Sequence, residues 1–215
     1  MQKNEDVVNV DYVRTFCVCG EMDSDVVVGV KGDILIWKGR NNNKADYVIG
    51  KVHDSYIYSL ITICDNINNN VYLLSASNDA KIKIWLYCDY SLITTLTEHT
   101  SSVISLTYNN KLNALISSSA DTTICLWSVS FIPTITFTKL KSILHTHIMF
   151  YSTISSLSPA ESIVIACGKS STLYLYSSPS YALQTTLHYH SSFIYCFIFT
   201  LPITTSFQYR TTSLL

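Results

Sequence analysis

The sequence is short of charge. Only 13% of its 215 residues are Asp, Glu, Lys or Arg, about half the usual share. The 14 Lys and Arg balance 15 Asp and Glu to a net charge of −1. That excludes the clustered basic surface that holds nucleic-acid backbones. No long apolar run is present either; the longest, Phe193 to Ile203, covers about 11 residues and contains Pro202, against the ~18 that a membrane span requires. The start, Met1-Gln-Lys-Asn-Glu-Asp6, lacks the apolar stretch of a signal peptide. No Asn-x-Ser/Thr acceptor occurs, and the seven cysteines, an odd number, follow no repeated spacing. Together these absences predict a reduced, intracellular protein of the cytoplasm or nucleus.

What is plentiful points to strands. Apolar residues make up 48% of the chain, and Ser and Thr roughly another quarter. β-Branched, aromatic and small hydroxyl residues suit a pleated surface better than a helix. Such hydrophobicity with so little charge excludes intrinsic disorder.

A repeat runs through the chain. Trp37, Trp85 and Trp127 stand 48 and 42 residues apart, and Tyr176 follows after 49. Each closes an alternating run: Asp-Ile-Leu-Ile-Trp37, Lys-Ile-Lys-Ile-Trp85, Thr-Ile-Cys-Leu-Trp127 and Thr-Leu-Tyr-Leu-Tyr176. Period-two alternation predicts half-buried strands. Apolar runs precede each one across a short turn (Val26 to Val30, Val71 to Ser75, Ala114 to Ser118, Ser162 to Ala166), as in β-hairpins. Leu96-x-x-His99, Leu144-x-x-His147 and Leu187-x-x-His190 keep the same beat, with Gly50-x-x-His53 one period earlier. One unit thus holds about four short strands in 42 to 49 residues, the size of a propeller blade.

At this point the chain resembles the WD40-repeat family. The segments Leu74-Ser-Ala-Ser-Asn-Asp79 and Ile116-Ser-Ser-Ser-Ala-Asp121, each followed six residues later by Trp, carry the resemblance. It implies an all-β, WD40-type β-propeller with about four recognisable blades and part of a fifth, an incomplete ring. The propeller region is expected over residues 12–200, in units of about 12–52, 53–98, 99–146 and 147–190 with a partial unit 191–200. Residues 1–11 form an N-terminal tail or extra strand and residues 201–215 an unpaired C-terminal tail. The chain also departs from the family. No Gly precedes the histidines, and no Asp follows a tryptophan. Lys31 and Ser170 stand where the turn Asp belongs in the first and fourth units, and Tyr176 replaces Trp.

The repeated polar residues form two expected quartets: His53, Ser75, Asp79 and Trp85, and His99, Ser117, Asp121 and Trp127. Antiparallel pairing across the Asp79 turn is expected to set Trp85 opposite Ser75, and likewise Trp127 opposite Ser117. Trp only donates, Ser relays, neutral His does both and ionised Asp only accepts, so the series closes with every inner group satisfied. The resemblance implies such a hydrogen-bonded chain. A Ser-His-Asp catalytic triad uses the same residue types, but it needs an exposed nucleophile and an oxyanion hole. Repetition with a Trp at fixed spacing argues for scaffold. No catalytic residue, metal or cofactor is therefore expected. Cys17 and Cys19 lack a second Cys/His pair at zinc spacing. His145, His147, His188 and His190 resemble a metal cluster, but two of them already hold blade positions. Gly32 and Gly168 are read as turn glycines whose positive φ is useful.

The resemblance implies a non-catalytic scaffold or adaptor that binds other proteins or peptides through rim loops. Carried over by blade position, the docking face would hold Asp54, Tyr56, Asn78, Thr100, Ser102 and Ala120, with Tyr56 the best anchor. Two alternatives stay open. The chain is a fragment of a larger multi-domain protein, or another chain completes the ring. An enzyme built on a propeller would need charged residues around a central channel, and after Asp121 only Lys139, Lys141, Glu161, Lys169 and Arg210 carry charge.

Overall fold

The computed structural model describes residues 13–19, 25–39, 44–110 and 112–144, then the stretches 152–154, 162–166, 172–177, 180, 182–188, 198–199 and 209–210. His145, His147 and His190, Gly168 and most of both predicted tails lie outside the described residues.

Among the described residues every regular element is a strand. Strands β1 (Val13–Cys19), β2 (Asp25–Val30), β3 (Asp33–Trp37) and β4 (Tyr47–Ile49) form one sheet in chain order. Strands β5 (Ile57–Asp65), β6 (Asn70–Ser77), β7 (Ile82–Leu86) and β8 (Leu92–Leu96) form the second. The third joins β9 (Val103–Asn109), β10 (Ala114–Ser119), β11 (Thr123–Ser130) and β12 (Thr136–Leu144). The fourth joins β13 (Ser152–Ile154), β14 (Ser162–Ala166), β15 (Thr172–Ser177) and β16 (Leu183–His188). Each four-stranded sheet is called a blade below. A final pair, β17 (Ile198–Phe199) and β18 (Tyr209–Arg210), is antiparallel. This corrects the expectation that nothing beyond residue 200 pairs. The aromatic alternation Phe207-x-Tyr209 is a strand signal.

The chain divides into two compact units, Met1–Ile104 with Ser130–Thr136, and Ser105–Val129 with Phe137–Leu215. In the first unit, blades 1 and 2 share a core of Val27, Ile34, Ile36, Val52, Ile57, Leu60, Leu73, Trp85 and Tyr87. Burying each large aliphatic side chain contributes about 1.5–3 kcal/mol. Period two explains the sorting: Ile34 and Ile36 of β3 face this core, while Leu35 and Trp37 join Val28 and Ala45 on the opposite face. Cys17 packs against the shared core from β1. In the second unit Ile116, Ile124 and Leu126 of blade 3 enclose Tyr176 of blade 4.

The first hairpin corrects one glycine. Lys31, not Gly32, takes the positive φ of the β2–β3 turn, at 48°. Gly32 is required for another reason: a Cβ there would lie 2.1 Å from the His53 carbonyl oxygen. Its own carbonyl accepts from the His53 N–H at 3.0 Å, and that of Lys31 from the Ile57 N–H at 2.9 Å. The connection entering blade 2 is thereby stitched to the turn of blade 1.

Candidate functional site

The β6–β7 turn of blade 2 is built by its own side chains. Ser77 Oγ accepts from the Asp79 N–H at 3.1 Å, and Asp79 Oδ1 from the Lys81 N–H at 3.0 Å. Ala80 takes a φ of 67°. The β10–β11 turn of blade 3 repeats the pattern: Ser119 Oγ accepts from the Asp121 N–H at 3.1 Å, Asp121 Oδ1 from the Thr123 N–H at 2.8 Å, and Thr122 has a φ of 70°. These bonds make Asp79 and Asp121 the centres of their hairpins.

The centring corrects the expected register by two residues. Trp85 lies opposite Leu73, and Ser75 opposite Lys83; Trp127 lies opposite Leu115, and Ser117 opposite Cys125. Because side chains alternate with period two, an even shift keeps Trp and Ser on one face. They meet diagonally, a reach open to a long aromatic side chain. Trp85 Nε1 donates to Ser75 Oγ at 3.2 Å, and Trp127 Nε1 to Ser117 Oγ at 3.0 Å.

In blade 2 the chain of bonds continues. His53 Nε2 lies 2.8 Å from Ser75 Oγ, and His53 Nδ1 lies 2.9 Å from Asp79 Oδ2. The indole only donates and the carboxylate only accepts, so Trp85 donates to Ser75 and Nδ1–H donates to Asp79. With the imidazole neutral, Nε2 accepts from Ser75. Burial, the largest influence, drives the His53 pKa below its ordinary value, and the pull of Asp79 in the other direction does not offset it. Burial alone would raise the Asp79 pKa, but His53 and the N–H groups of Lys81 and Asp54 hold it below the carboxylate range. Lys83 stands beside this group, its ammonium donating to the Val52 carbonyl.

Ser75 has no solvent-exposed surface, and its hydroxyl is enclosed by Trp85, His53 and the Lys83 carbonyl. A substrate carbonyl cannot reach such an oxygen, and the geometry is that of a satisfied internal relay. Ser117 is equally buried. His99 is buried in the connection after β8, in the first unit, whereas Ser117, Asp121 and Trp127 belong to the second.

The residues expected at the docking face divide. Asp54 is exposed and pairs with Lys81 at 3.4 Å, while its N–H donates to Asp79 Oδ2 at 3.1 Å. Asn78 is exposed and central: its Oδ1 accepts from Ser102 Oγ and from the Tyr58 hydroxyl, and its Nδ2 donates to Ser55 Oγ at 2.9 Å. Tyr56 is half-buried beneath Arg14, whose guanidinium sits 5.0 Å from its ring centroid and 5.1 Å from that of Tyr58. Asp54, Tyr56, Asn78 and Ser102 therefore belong to one end of blade 2. Thr100 is exposed on the connection into blade 3, and Ala120 is half-buried in the second unit's turn. Sequence reasoning missed Arg14, Ser55 and Tyr58. The signal for Tyr58 was its place two residues after Tyr56, at the start of β5.

Among the described residues no group of three or more His, Cys, Asp or Glu is placed to hold a metal ion, and no helix is long and apolar enough to cross a membrane.

Comparison with known proteins agrees with this geometry. The WD domain, G-beta repeat model matches residues 48–85 and 90–128, which contain the Trp85 and Trp127 hairpins. No curated protein matches the chain. Among solved structures, that of U3-55K superposes with a TM-score of 0.68 at 19% identity, over 86% of this chain and 54% of that one. The WD40 repeats of RRP9 give 0.69 at 18%, over 86% and 53%, and the WD40 β-propeller domain of Doa1 gives 0.64 at 20%, over 86% and 58%. The chain spans about half the length of these structures. Residues 48–85 and 90–128 thus match WD40 repeats, and the chain has the all-β fold of the WD40 β-propeller structures.

Proposed function

We propose that the protein is a non-catalytic interaction scaffold that binds partner proteins or peptides through loop residues Asp54, Tyr56, Asn78, Thr100 and Ser102 of the first unit, with Ala120 of the second unit as a further contact residue. WD40 propellers generally serve as protein-interaction scaffolds. The observation that carries the reading here is the Arg14 guanidinium over both Tyr56 and Tyr58 beside the Asn78 bonds. Rigid aromatic groups and a planar cation, already held in place, lose little freedom when a partner docks. The buried relay of His53, Ser75, Asp79 and Trp85 supports the face from below, and we assign the same supporting role to His99, Ser117, Asp121 and Trp127. The test is affinity purification from the native source with the wild-type chain and with Tyr56→Ala. The reading requires a recurrent partner that Tyr56→Ala loses about tenfold or more, the scale of a hot spot. Identical partner sets for both chains, or turnover of a small substrate by the purified protein, would overturn it.

One further observation favours assembly with additional blades. On the outer strand face of blade 1, Phe16 is 67% exposed, flanked by Val13 and Val18; apolar surface of this kind is normally covered. We infer that another blade, from a partner chain or further sequence, packs there. Light scattering of the purified 24.2 kDa chain and of Phe16→Glu reads one form of this: wild-type self-association that Phe16→Glu abolishes agrees, and a monomer in both cases opposes a blade supplied by a second copy of the chain.

A further inference from the structure

Strands β1 and β5 pack against each other, and each swells by one residue near its start. Val13 pairs with Val30 and Thr15 with Gly29, which leaves Arg14 between them outside the ladder. Ile57 pairs with Ser77 and Ser59 with Ala76, which leaves Tyr58 in the matching place of blade 2. A bulge of this kind interrupts the ladder and re-aims the residue it inserts. Two features fix the strands against each other here. Thr15 Oγ1 accepts from the Leu60 N–H at 3.1 Å. Gly29 lacks a Cβ, which would lie 3.0 Å from both Ile57 and Thr15. The Arg14 guanidinium is thereby set against two rings at once, 5.0 Å from the Tyr56 centroid and 5.1 Å from that of Tyr58.

Contact with rings uses the faces of a guanidinium, whereas its N–H donors all lie in its plane. Among the described residues, none forms a hydrogen bond or an ion pair with Arg14. The side chain is exposed. The aspartates at this end of blades 1 and 2 are engaged elsewhere: Asp54 with Lys81, Asp79 with His53, and Asp33 with the Lys51 N–H. Arginine is weakly hydrated, so the rings restrain it at little cost. A restrained fork of unpaired donors matches the two oxygens of a carboxylate.

We propose that Arg14 is the anion-binding residue of the docking surface around Tyr56, and that it takes the side-chain carboxylate of an Asp or Glu in a partner protein. This rests on the reading of that surface as a docking site and names the chemistry of what docks there. One guanidinium supplies one positive charge, which a carboxylate matches, whereas phosphorylated segments are held by clusters of arginines. Asp54, exposed at the same end of blade 2, repels a dianion more strongly than a monoanion.

The probe is the capped peptide acetyl-Gly-Gly-Glu-Gly-Gly-amide, with analogues carrying Gln or phosphoserine in place of Glu, titrated into 15N-labelled protein. The Glu peptide should shift the Arg14 15Nε signal of the wild-type chain saturably. The Gln peptide should bind about tenfold more weakly, the scale of one charge-assisted contact. Arg14→Gln should weaken the Glu peptide by about the same factor. An unmoved Arg14 signal, or equal binding of the Glu and Gln peptides, overturns the inference. A larger loss on Arg14→Gln for the phosphoserine peptide than for the Glu peptide overturns the carboxylate assignment. Should Arg14→Gln not fold, the wild-type chain decides: an Arg14 shift with Glu but not with Gln supports the site, and no shift overturns it. The docking reading is judged separately by Tyr56→Ala. Partners that Tyr56→Ala loses and Arg14→Gln retains in full would overturn this inference and leave that reading standing.

Discussion

Blades 1 and 2 share a core and a topology, yet they fasten their tryptophans differently. In blade 2, Trp85 lies opposite Leu73, and Ser75, two residues further along β6, takes its indole proton. In blade 1, Trp37 lies opposite Val26, and the equivalent position two residues on is Val28. There the tryptophan packs in an apolar cluster with Val28, Leu35 and Ala45. Blade 4 pairs Tyr176 with Ile163, and Ile165 stands in the serine's place. One sheet geometry thus accepts either a polar relay or simple hydrophobic contact at the same point. A polar relay is intolerant of partial loss, because each removed member strands its neighbours, whereas an apolar cluster yields gradually as volume changes.

Four substitutions or conditions probe that contrast. Ser75→Val makes blade 2 copy blade 1 and strands both the Trp85 N–H and His53 Nε2. At ~1–3 kcal/mol for each stranded buried group, a stability loss of about 3 kcal/mol is expected in urea unfolding. A loss below ~1 kcal/mol would mean that the relay carries no stability. Gly32→Ala tests the seam between the blades, where the new methyl group would meet the His53 carbonyl. A cost of about 2 kcal/mol is expected by the same measurement, as for an overpacked interior. Val28→Thr runs the exchange in reverse by giving Trp37 a hydroxyl neighbour. Calorimetry should register about 1 kcal/mol or less, since the indole can satisfy the added group. The smallest effect is with pH. The folded-state pKa of His53 is below its unfolded value of 6.5, so the unfolded chain binds the extra proton and stability falls as pH drops from 6.5 through the folded pKa. His53→Ala should flatten that part of the melting-temperature profile, and an unchanged slope would assign it to other groups.

How much was visible beforehand varies from residue to residue. Alternation ahead of each Trp marked the hairpins because strand side chains obey period two whatever their surroundings. The residues of the relay were also readable, since four chemically complementary types recurred together. Their register was misjudged because the turn bonds of Ser77 and Asp79 set the hairpin centre, and a count along the chain does not see those bonds. The need for Gly32 was assigned to backbone conformation. The group that requires its missing Cβ is the His53 carbonyl, 21 residues on, in another blade. Tyr87 and Tyr90 stand near no matching pair elsewhere in the repeat, so only the fold brings them beside Lys38. Arg14 was hidden in the same way, on a strand whose neighbours in space lie over forty residues away.

The twin turns of blades 2 and 3 separate a frame from what it displays. Ser, Asp and the residue after the left-handed position draw the backbone into shape, and nothing in that wiring uses the side chain between Ser and Asp. Asn78 occupies that place in one blade and Ala120 in the other. Such a position can mutate without disturbing the hairpin beneath it, so a duplicated blade can acquire a new surface while its architecture is inherited unchanged.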